Sequence, residues 1–356
     1  MKKLLSMVLV LVMLAGVLSA MAEPAPVDAA EAVGLPVVGD IVEGFEVKEI
    51  RPFAVIGAQV VLFEHQKTGA KLLYVANEDT NRAFQLSFPT RPEDYTGLPH
   101  VFEHATLAGS EKYPSTGLWF NLSFQSYNTY MNAHTADALT YYPVASLSEE
   151  QLLRLADFYT DSCFHPLIME REDIYRTEAW RYEMADMDSP LTLNGTVYSE
   201  MLGAVTLDFR AMINANTATF PGSSMVYNYG GDPDYIPDMT WEALKEYHLK
   251  YYHPSNCLAI LYGSFKDYTA FLKLLDEYFS PYEKKEFPFE EEGYARIAEP
   301  VISSVPYPVG SDSSTADQAS VWYYILCPGM KGDMEQEHLI DHAASLLSDS
   351  SSPLMI

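Results

Sequence analysis

A series of short stretches in which apolar and polar residues alternate most strongly constrains the fold of this chain. Three of them follow one another between residues 54 and 90, as "AVIGAQVVLFEH", "KLLYVANED" and "RAFQLSFPT", with the turn "KTGA" after the first. Alternation with a period of two residues is typical of strands that bury one face, and short turns join neighbouring strands in antiparallel fashion. The segment "NTYMNAHTADALTYYPVAS" is expected to add a strand, a turn and another strand. The sequence therefore predicts a mainly antiparallel sheet.

Helical patterns follow these strands. In "SEEQLLRLADFYTDSCF", Leu152, Leu155 and Tyr159 recur at helical spacing behind acidic residues of the first turn. The segment "PDMTWEALKEYHLKYY" offers Asp238 or Thr240 as a helix cap, and it leads into the apolar "HPSNCLAILYGSF", which is expected to be a buried strand. A further helix is predicted for "DYTAFLKLLDEYFSPY". The mixture of elements indicates an α/β protein of the α+β type.

The length predicts one large domain and part of a second, because 356 residues exceed one average domain. Residues 1–22 contain two lysines, an apolar run and small residues near the end, which is typical of a cleaved signal peptide and predicts export to the periplasm or the extracellular space. An uncleaved membrane anchor is the alternative. The other expected units are an N-terminal lead-in (23–42), a main domain (43–283), a linker rich in charge, proline and serine (284–317) and the truncated start of a second similar domain (318–356).

Charge excludes one class of partner. The formal net charge is −27, and removal of residues 1–22, which carry two lysines and no acid, changes it to −27 − 2 = −29. Such a surface repels phosphate backbones, so no nucleic acid partner is expected. No stretch after residue 22 is apolar enough to predict stable membrane insertion. Cys163, Cys257 and Cys327 lie far apart in apolar surroundings and are expected to be buried free thiols.

The segment "PHVFEHATLAGSEKYP" contains two histidines four residues apart, with a glutamate directly before the second. We expect a helix over residues 97–107, with Thr96 as its cap and Gly109 at its end. His100 and His104 would then lie one turn apart on one face, where both imidazoles can reach a single ion. Glu103 would lie beside them, as a general base that takes a proton from water. This is the H-x-x-E-H order of inverse zinc motifs.

A hydrolytic zinc site needs a third protein ligand. The best candidate is Glu200, in a segment whose apolar residues recur at helical spacing. Spacing alone does not choose among Glu200 and the competing carboxylates Glu178, Glu183 and Asp208. A second pair of histidines in "HLIDH" (His338, Asp341 and His342) has aspartate in place of glutamate, and it is interpreted as a polar helix face.

Several segments together resemble the presequence protease branch of the pitrilysin-type (inverzincin) zinc metallopeptidases. The resemblance covers only the N-terminal portion of those proteins. They are "TGLPHVFEHATLAGSEKYP", "TYMNAHTADALTYYPV", "EAWRYE", "GTVYSEMLGA", "YNYGGDPDYIPDMTWEALKEYHLKYYHPSN" and "YGSF". The resemblance implies His100, His104 and Glu200 as ligands of one Zn²⁺ and Glu103 as the catalytic base. It also implies Asn132 and Ala133 as a substrate-binding strand edge, although Asn132 could instead cap a turn. His134 is interpreted as a packing residue where the family has an aromatic one.

What the resemblance implies for the whole protein is a mainly antiparallel sheet with helices packed on one side, and a zinc-dependent endopeptidase that hydrolyses unstructured peptides. Members of this branch are about three times longer and have a second half that closes a chamber. The expected partners are therefore peptide substrates and a missing C-terminal half or second chain. The alternative is a metal-binding fragment that is catalytically incomplete, or a non-catalytic partner subunit. Ser199 replaces the asparagine that usually precedes the glutamate ligand.

Overall fold

The computed structural model describes residues 34–287, 302–316, 319, 321–322, 324 and 334–348. Eleven strands are found in these parts of the chain: β1 Ile41–Val42, β2 Phe45–Phe53, β3 Ala58–His65, β4 Lys71–Ala76, β5 Arg82–Pro89, β6 Tyr130–Met131, β7 His134–Ala136, β8 Leu139–Ser146, β9 Arg181–Glu183, β10 Thr192–Asn194 and β11 Leu258–Gly263. The α-helices in the same parts are α1 Leu98–Thr106, α2 Leu118–Gln125, α3 Glu149–Phe164, α4 Glu172–Glu178, α5 Thr196–Ala204, α6 Leu207–Thr219, α7 Trp241–Tyr251, α8 Thr269–Phe279 and α9 Met334–Ser348.

The main sheet has the strand order β1-β2-β3-β4-β11-β5-β8-β6, and β7 also pairs with β8. Neighbouring strands are antiparallel except for β11 and β4, which pair in parallel with Leu258 opposite Lys71. Strand β11 thus lies between two strands that precede it by more than 160 residues. Strands β9 and β10 form a separate hairpin.

The core lies on one face of this sheet. Leu72 and Tyr74 of β4 are fully buried, whereas Leu73 and Val75 between them are half-buried. The same alternation runs through β11 and through most of β3, β5 and β8. Helix α3 packs against β5, β8 and α8. The predicted fold class, a mainly antiparallel sheet with helices on one side, is confirmed.

Local patterns placed most elements well. Helix α3 begins where the acidic turn predicts, because the Ser148 side chain accepts a hydrogen bond from the main chain of Gln151. Thr240, not Asp238, caps α7. Thr96 does not cap α1: its hydroxyl donates to Asp94, and Gly97 occupies the cap position.

The single helical pattern around Glu200 divides into two helices. Helix α5 ends at Ala204, and the Thr206 side chain accepts a hydrogen bond from Phe209 N to begin α6. An N-cap residue needs an extended backbone, so the chain cannot stay helical through this threonine. The helical spacing of apolar residues therefore continues across the break between α5 and α6, and it does not indicate where the first helix ends.

Some predictions fall outside the described residues. These are the signal peptide, much of the lead-in and the linker, Cys327 and most of the second unit. Helix α9 is described and contains the "HLIDH" segment, which is interpreted above as a helix face. None of the helices in the described parts of the chain combines the length and apolar character that crossing a bilayer requires.

Candidate metal centre

Helix α1 carries the two motif histidines and is fixed at its start by a close backbone contact. Gly97 has a positive φ of 76°, and a Cβ there would lie 2.5 Å from the Cα of Gly231. Only glycine permits this approach without strain. Pro99 occupies the first turn, where a missing N–H costs nothing. On the inner side of the helix, Phe102 packs between the rings of α7 and its flanking loop.

His100 and His104 lie one turn apart, with ring centroids 4.9 Å apart and planes at 85°. Glu200 reaches them from α5: its Oε2 lies 3.8 Å from Nε2 of His100 and 3.7 Å from Nε2 of His104. Within the described residues, these three side chains form a group whose ligand atoms all lie within 4.8 Å of one another. Two imidazole nitrogens and one carboxylate are the donors that a three-ligand zinc site uses, with a fourth position left open. The residues present therefore fit the metal.

The other candidate carboxylates lie outside this group of three. Glu183 pairs with Arg181 on the β9–β10 hairpin, and Asp208 accepts a hydrogen bond from Tyr307. Glu178 is near His104 but on the other side of its ring, with Oε2 3.6 Å from Nδ1. His338 and His342 belong to an exposed helix and are not grouped with a third ligand in the described residues.

The outer nitrogens of both histidines face acceptors. His100 Nδ1 lies 3.1 Å from the carbonyl oxygen of Gly230, so it carries the hydrogen and Nε2 is the nitrogen that can ligate. Burial alone would lower the pKa of His104, but the Glu178 carboxylate and the charges of Glu103 and Glu200 outweigh it, and the pKa is raised. Protons therefore compete with a metal for His104 as the pH falls.

Glu103 is buried, with about 8% of its surface exposed, beside the two ligands. The hydroxyl of Thr135 donates a hydrogen bond of 2.6 Å to its Oε2. This contact holds the carboxylate at one of its two oxygens. Sequence reasoning did not single out Thr135, although it lies only two residues beyond Ala133 of the predicted strand edge.

The predicted substrate edge lies between β6 and β7. The main-chain N–H of Asn132 donates to Pro143 O at 3.2 Å, and its carbonyl accepts from the hydroxyl of Tyr159 at 2.8 Å. The fold therefore uses both main-chain groups of Asn132. His134 stacks on Tyr141 with centroids 5.0 Å apart, and burial lowers its pKa.

The sequence also resembles known families along two adjacent segments. Residues 90–209 match the family described as "Insulinase (Peptidase family M16)", and residues 238–355 match "Peptidase M16 inactive domain". "Protein HypA" of Clostridium perfringens is 34% identical over 314 residues, which are 88% of this chain and 32% of that protein. "Presequence protease, mitochondrial" of Eremothecium gossypii is 33% identical over 318 residues, which are 88% of this chain and 31% of that one.

The chain belongs to peptidase family M16. It spans about a third of the length of these two curated relatives. The crystal structure of pitrilysin superposes with a TM-score of 0.54 at 22% identity, over 73% of this chain and 26% of that one. This likeness shows the fold, and it agrees with the predicted N-terminal portion of a pitrilysin-type peptidase.

The prediction of export is wrong. The Eremothecium relative is named as a mitochondrial protein, and so are the presequence proteases of Xenopus laevis and Mus musculus. Two lysines before an apolar run show only charge and hydropathy. Such a pattern does not by itself determine the compartment to which a protein is targeted. No export signal is therefore assigned to this chain.

Proposed function

We propose that this chain forms the metal-binding part of a zinc-dependent endopeptidase that hydrolyses unstructured peptides, as a presequence protease would. The observation that carries the proposal is the convergence of His100, His104 and Glu200 beside a buried Glu103. Family membership supports peptide hydrolysis, and the donor set supports zinc. The main domain would cover residues 43–283, with the linker and the beginning of a second similar domain after it.

The two histidines would present Nε2, and Glu200 a carboxylate oxygen, to one zinc ion. When bound, zinc acidifies water and polarises a carbonyl group. Glu103 accepts a proton from water as this water attacks the scissile carbonyl, and it then donates the proton to the leaving amine. Thr135 keeps the carboxylate of Glu103 in place during both transfers by its hydrogen bond to Oε2.

The substrate would bind as an extended strand at the segment between β6 and β7. Main-chain hydrogen bonds to such an edge hold a peptide without demanding a sequence. Because Asn132 uses its main-chain groups inside the fold, Ala133 is the better candidate for these bonds, and Asn132 would contribute its side chain. Unstructured peptides can adopt this extended conformation, whereas most strands of folded proteins already use their main-chain groups within a sheet.

A second function follows from the length of the relatives. Because the chain covers about a third of them, it could bind zinc and still depend on a further half or a partner chain for turnover. Zinc binding and peptide cleavage would then be separate properties, and one experiment can measure both.

The test measures bound zinc and cleavage of an unstructured peptide of about 30 residues, a length that suits a chamber-type site. Glu103→Gln removes the base, and Glu111→Gln is the matched control, since Glu111 is exposed and lies seven residues beyond the motif histidine. We expect one zinc per chain in all three proteins and a 10²- to 10⁴-fold lower rate for Glu103→Gln alone. Zinc binding with no cleavage by the unaltered chain would favour the incomplete fragment. Cleavage that persists in Glu103→Gln, or absence of zinc, would contradict the proposed enzyme.

A further inference from the structure

The last residue of helix α4, Glu178, has no role among the zinc ligands, yet it lies next to one of them. Its Oε2 is 3.6 Å from Nδ1 of His104, while Nε2 of the same ring faces Glu200 at 3.7 Å. The carboxylate is mostly buried, with 17% of its side chain exposed. Carboxylates are rarely kept from water without a partner, and among the described residues the ion pair found for Glu178 is with His104.

The backbone around Glu178 is held in place by the helix that carries Glu200. A Cβ at Gly195, just before α5, would lie 2.2 Å from the carbonyl oxygen of Ala179. The hydroxyl of Thr196 also donates to the carbonyl of Thr177 at 3.2 Å. Helices α4 and α5 therefore meet at their adjoining ends, and this contact places one carboxylate on each side of the His104 ring.

The two histidines differ in what faces their outer nitrogens. His100 is held by the main-chain carbonyl of Gly230, which is neutral and which no side-chain substitution removes. His104 faces a charged carboxylate. A carboxylate behind a ligating imidazole fixes the proton on the outer nitrogen and makes the inner nitrogen a stronger donor to the metal.

We propose that Glu178 is a positioning residue that holds the Nδ1 hydrogen of His104 and so aims Nε2 at the metal. This inference rests on the proposed function for the identity of the metal. The separation of 3.6 Å places the carboxylate next to the outer nitrogen, and Glu200 stays the third ligand. Removing the charge should weaken metal binding about 10- to 100-fold, the usual effect of losing such an outer partner.

The experiment compares zinc dissociation constants, measured by chelator competition, for the unaltered chain, Glu178→Gln and Glu172→Gln. The control removes the same charge from the same helix, where Glu172 is exposed and pairs with Arg176. We expect a 10- to 100-fold weaker constant for Glu178→Gln and a change below twofold for Glu172→Gln. Equal constants for all three proteins would overturn the proposal.

NMR spectra of the imidazole N–H protons of the zinc-loaded proteins provide a second measurement. A purely structural role of Glu178 would leave the Nδ1 proton signal of His104 unchanged. The unaltered chain should show a protected Nδ1 proton on both His100 and His104. In Glu178→Gln the signal of His104 should be lost to exchange while that of His100 persists. A proton on Nε2 of His104 in the unaltered chain would overturn the proposal even if the variant failed to fold.

Failure of the proposed function would be recognised separately. An unaltered chain that binds zinc tightly but cleaves no peptide favours the incomplete fragment over the complete enzyme, and it leaves the difference between Glu178→Gln and Glu172→Gln intact as support. An unaltered chain that binds no zinc contradicts both.

Discussion

Acid should destabilise this fold through one buried histidine, His248 of α7. Its ring stacks on Phe102 and Tyr252, with centroids 5.2 and 5.5 Å away. Nε2 donates a hydrogen bond of 3.0 Å to the carbonyl of Cys163, and Nδ1 has no hydrogen-bond partner among the described residues. A proton on Nδ1 would place a charge between aromatic rings. Burial accordingly lowers the pKa of His248 from 6.5 to about 4.

The magnitude follows from the two pKa values. In the unfolded chain the histidine binds its proton near pH 6.5, whereas in the folded chain it stays neutral down to about pH 4. The stabilising contribution is therefore complete above pH 6.5 and is lost as the pH falls toward 4. Between pH 7.5 and pH 5 this difference lowers the free energy of unfolding by about 2 kcal/mol.

The assay is urea denaturation of the metal-free chain at pH 7.5 and pH 5, with His248→Gln as the test variant. Glutamine retains an N–H donor for the carbonyl of Cys163 and does not titrate. Between pH 7.5 and pH 5, the free energy of unfolding of His248→Gln should therefore fall by about 2 kcal/mol less than that of the unaltered chain. His342→Gln, on exposed α9, is the control and should behave as the unaltered chain. Equal losses for His248→Gln and the unaltered chain would refute the reasoning.

Two further substitutions test how the site is held. Thr135→Val removes the donor to Glu103, and a hydrogen bond to a charged group contributes roughly 1.5–3 kcal/mol. The rate of peptide cleavage should therefore fall at least about tenfold while the amount of bound zinc stays unchanged. Loss of zinc from this variant would contradict the prediction. Gly97→Ala forces a Cβ against Gly231 and should lower the free energy of unfolding by about 3 kcal/mol. Gly57→Ala, with a similar positive φ and open space around it, should cost only about 1 kcal/mol, and equal costs for the two alanines would exclude the contact as the cause.

The sheet was predictable where the chain pairs with its own neighbours. Strands β3 to β5 follow from alternation, because one face of each is buried and the connecting turns are short. The position of β11 was not predictable. Its apolar residues show that it is buried, but its parallel pairing with β4 depends on packing across the whole domain.

The site divides along the same line between local and distant contacts. His100, Glu103 and His104 share one helical turn, so spacing alone places them together. Glu200 comes from 96 residues further on, and only the family resemblance chose it over Glu178. The groups that face the outer nitrogens of the two histidines could not be predicted from the sequence. Every residue has a main-chain carbonyl, so nothing in the sequence marks that of Gly230 as the partner of His100.

The late arrival of β11 also has a consequence for how this molecule is made. Every residue of the metal cluster lies between β5 and β11 in the sequence, within a loop that closes when β11 enters the sheet. Closing contacts between residues so far apart is slow, and strands that wait for a partner expose unpaired edges. During synthesis, β4 and β5 therefore lack their common neighbour β11 until about 260 residues of this sequence have left the ribosome. We expect that nascent chains shorter than this aggregate or recruit chaperones, and that capacity to bind the metal appears in one step when β11 has been added.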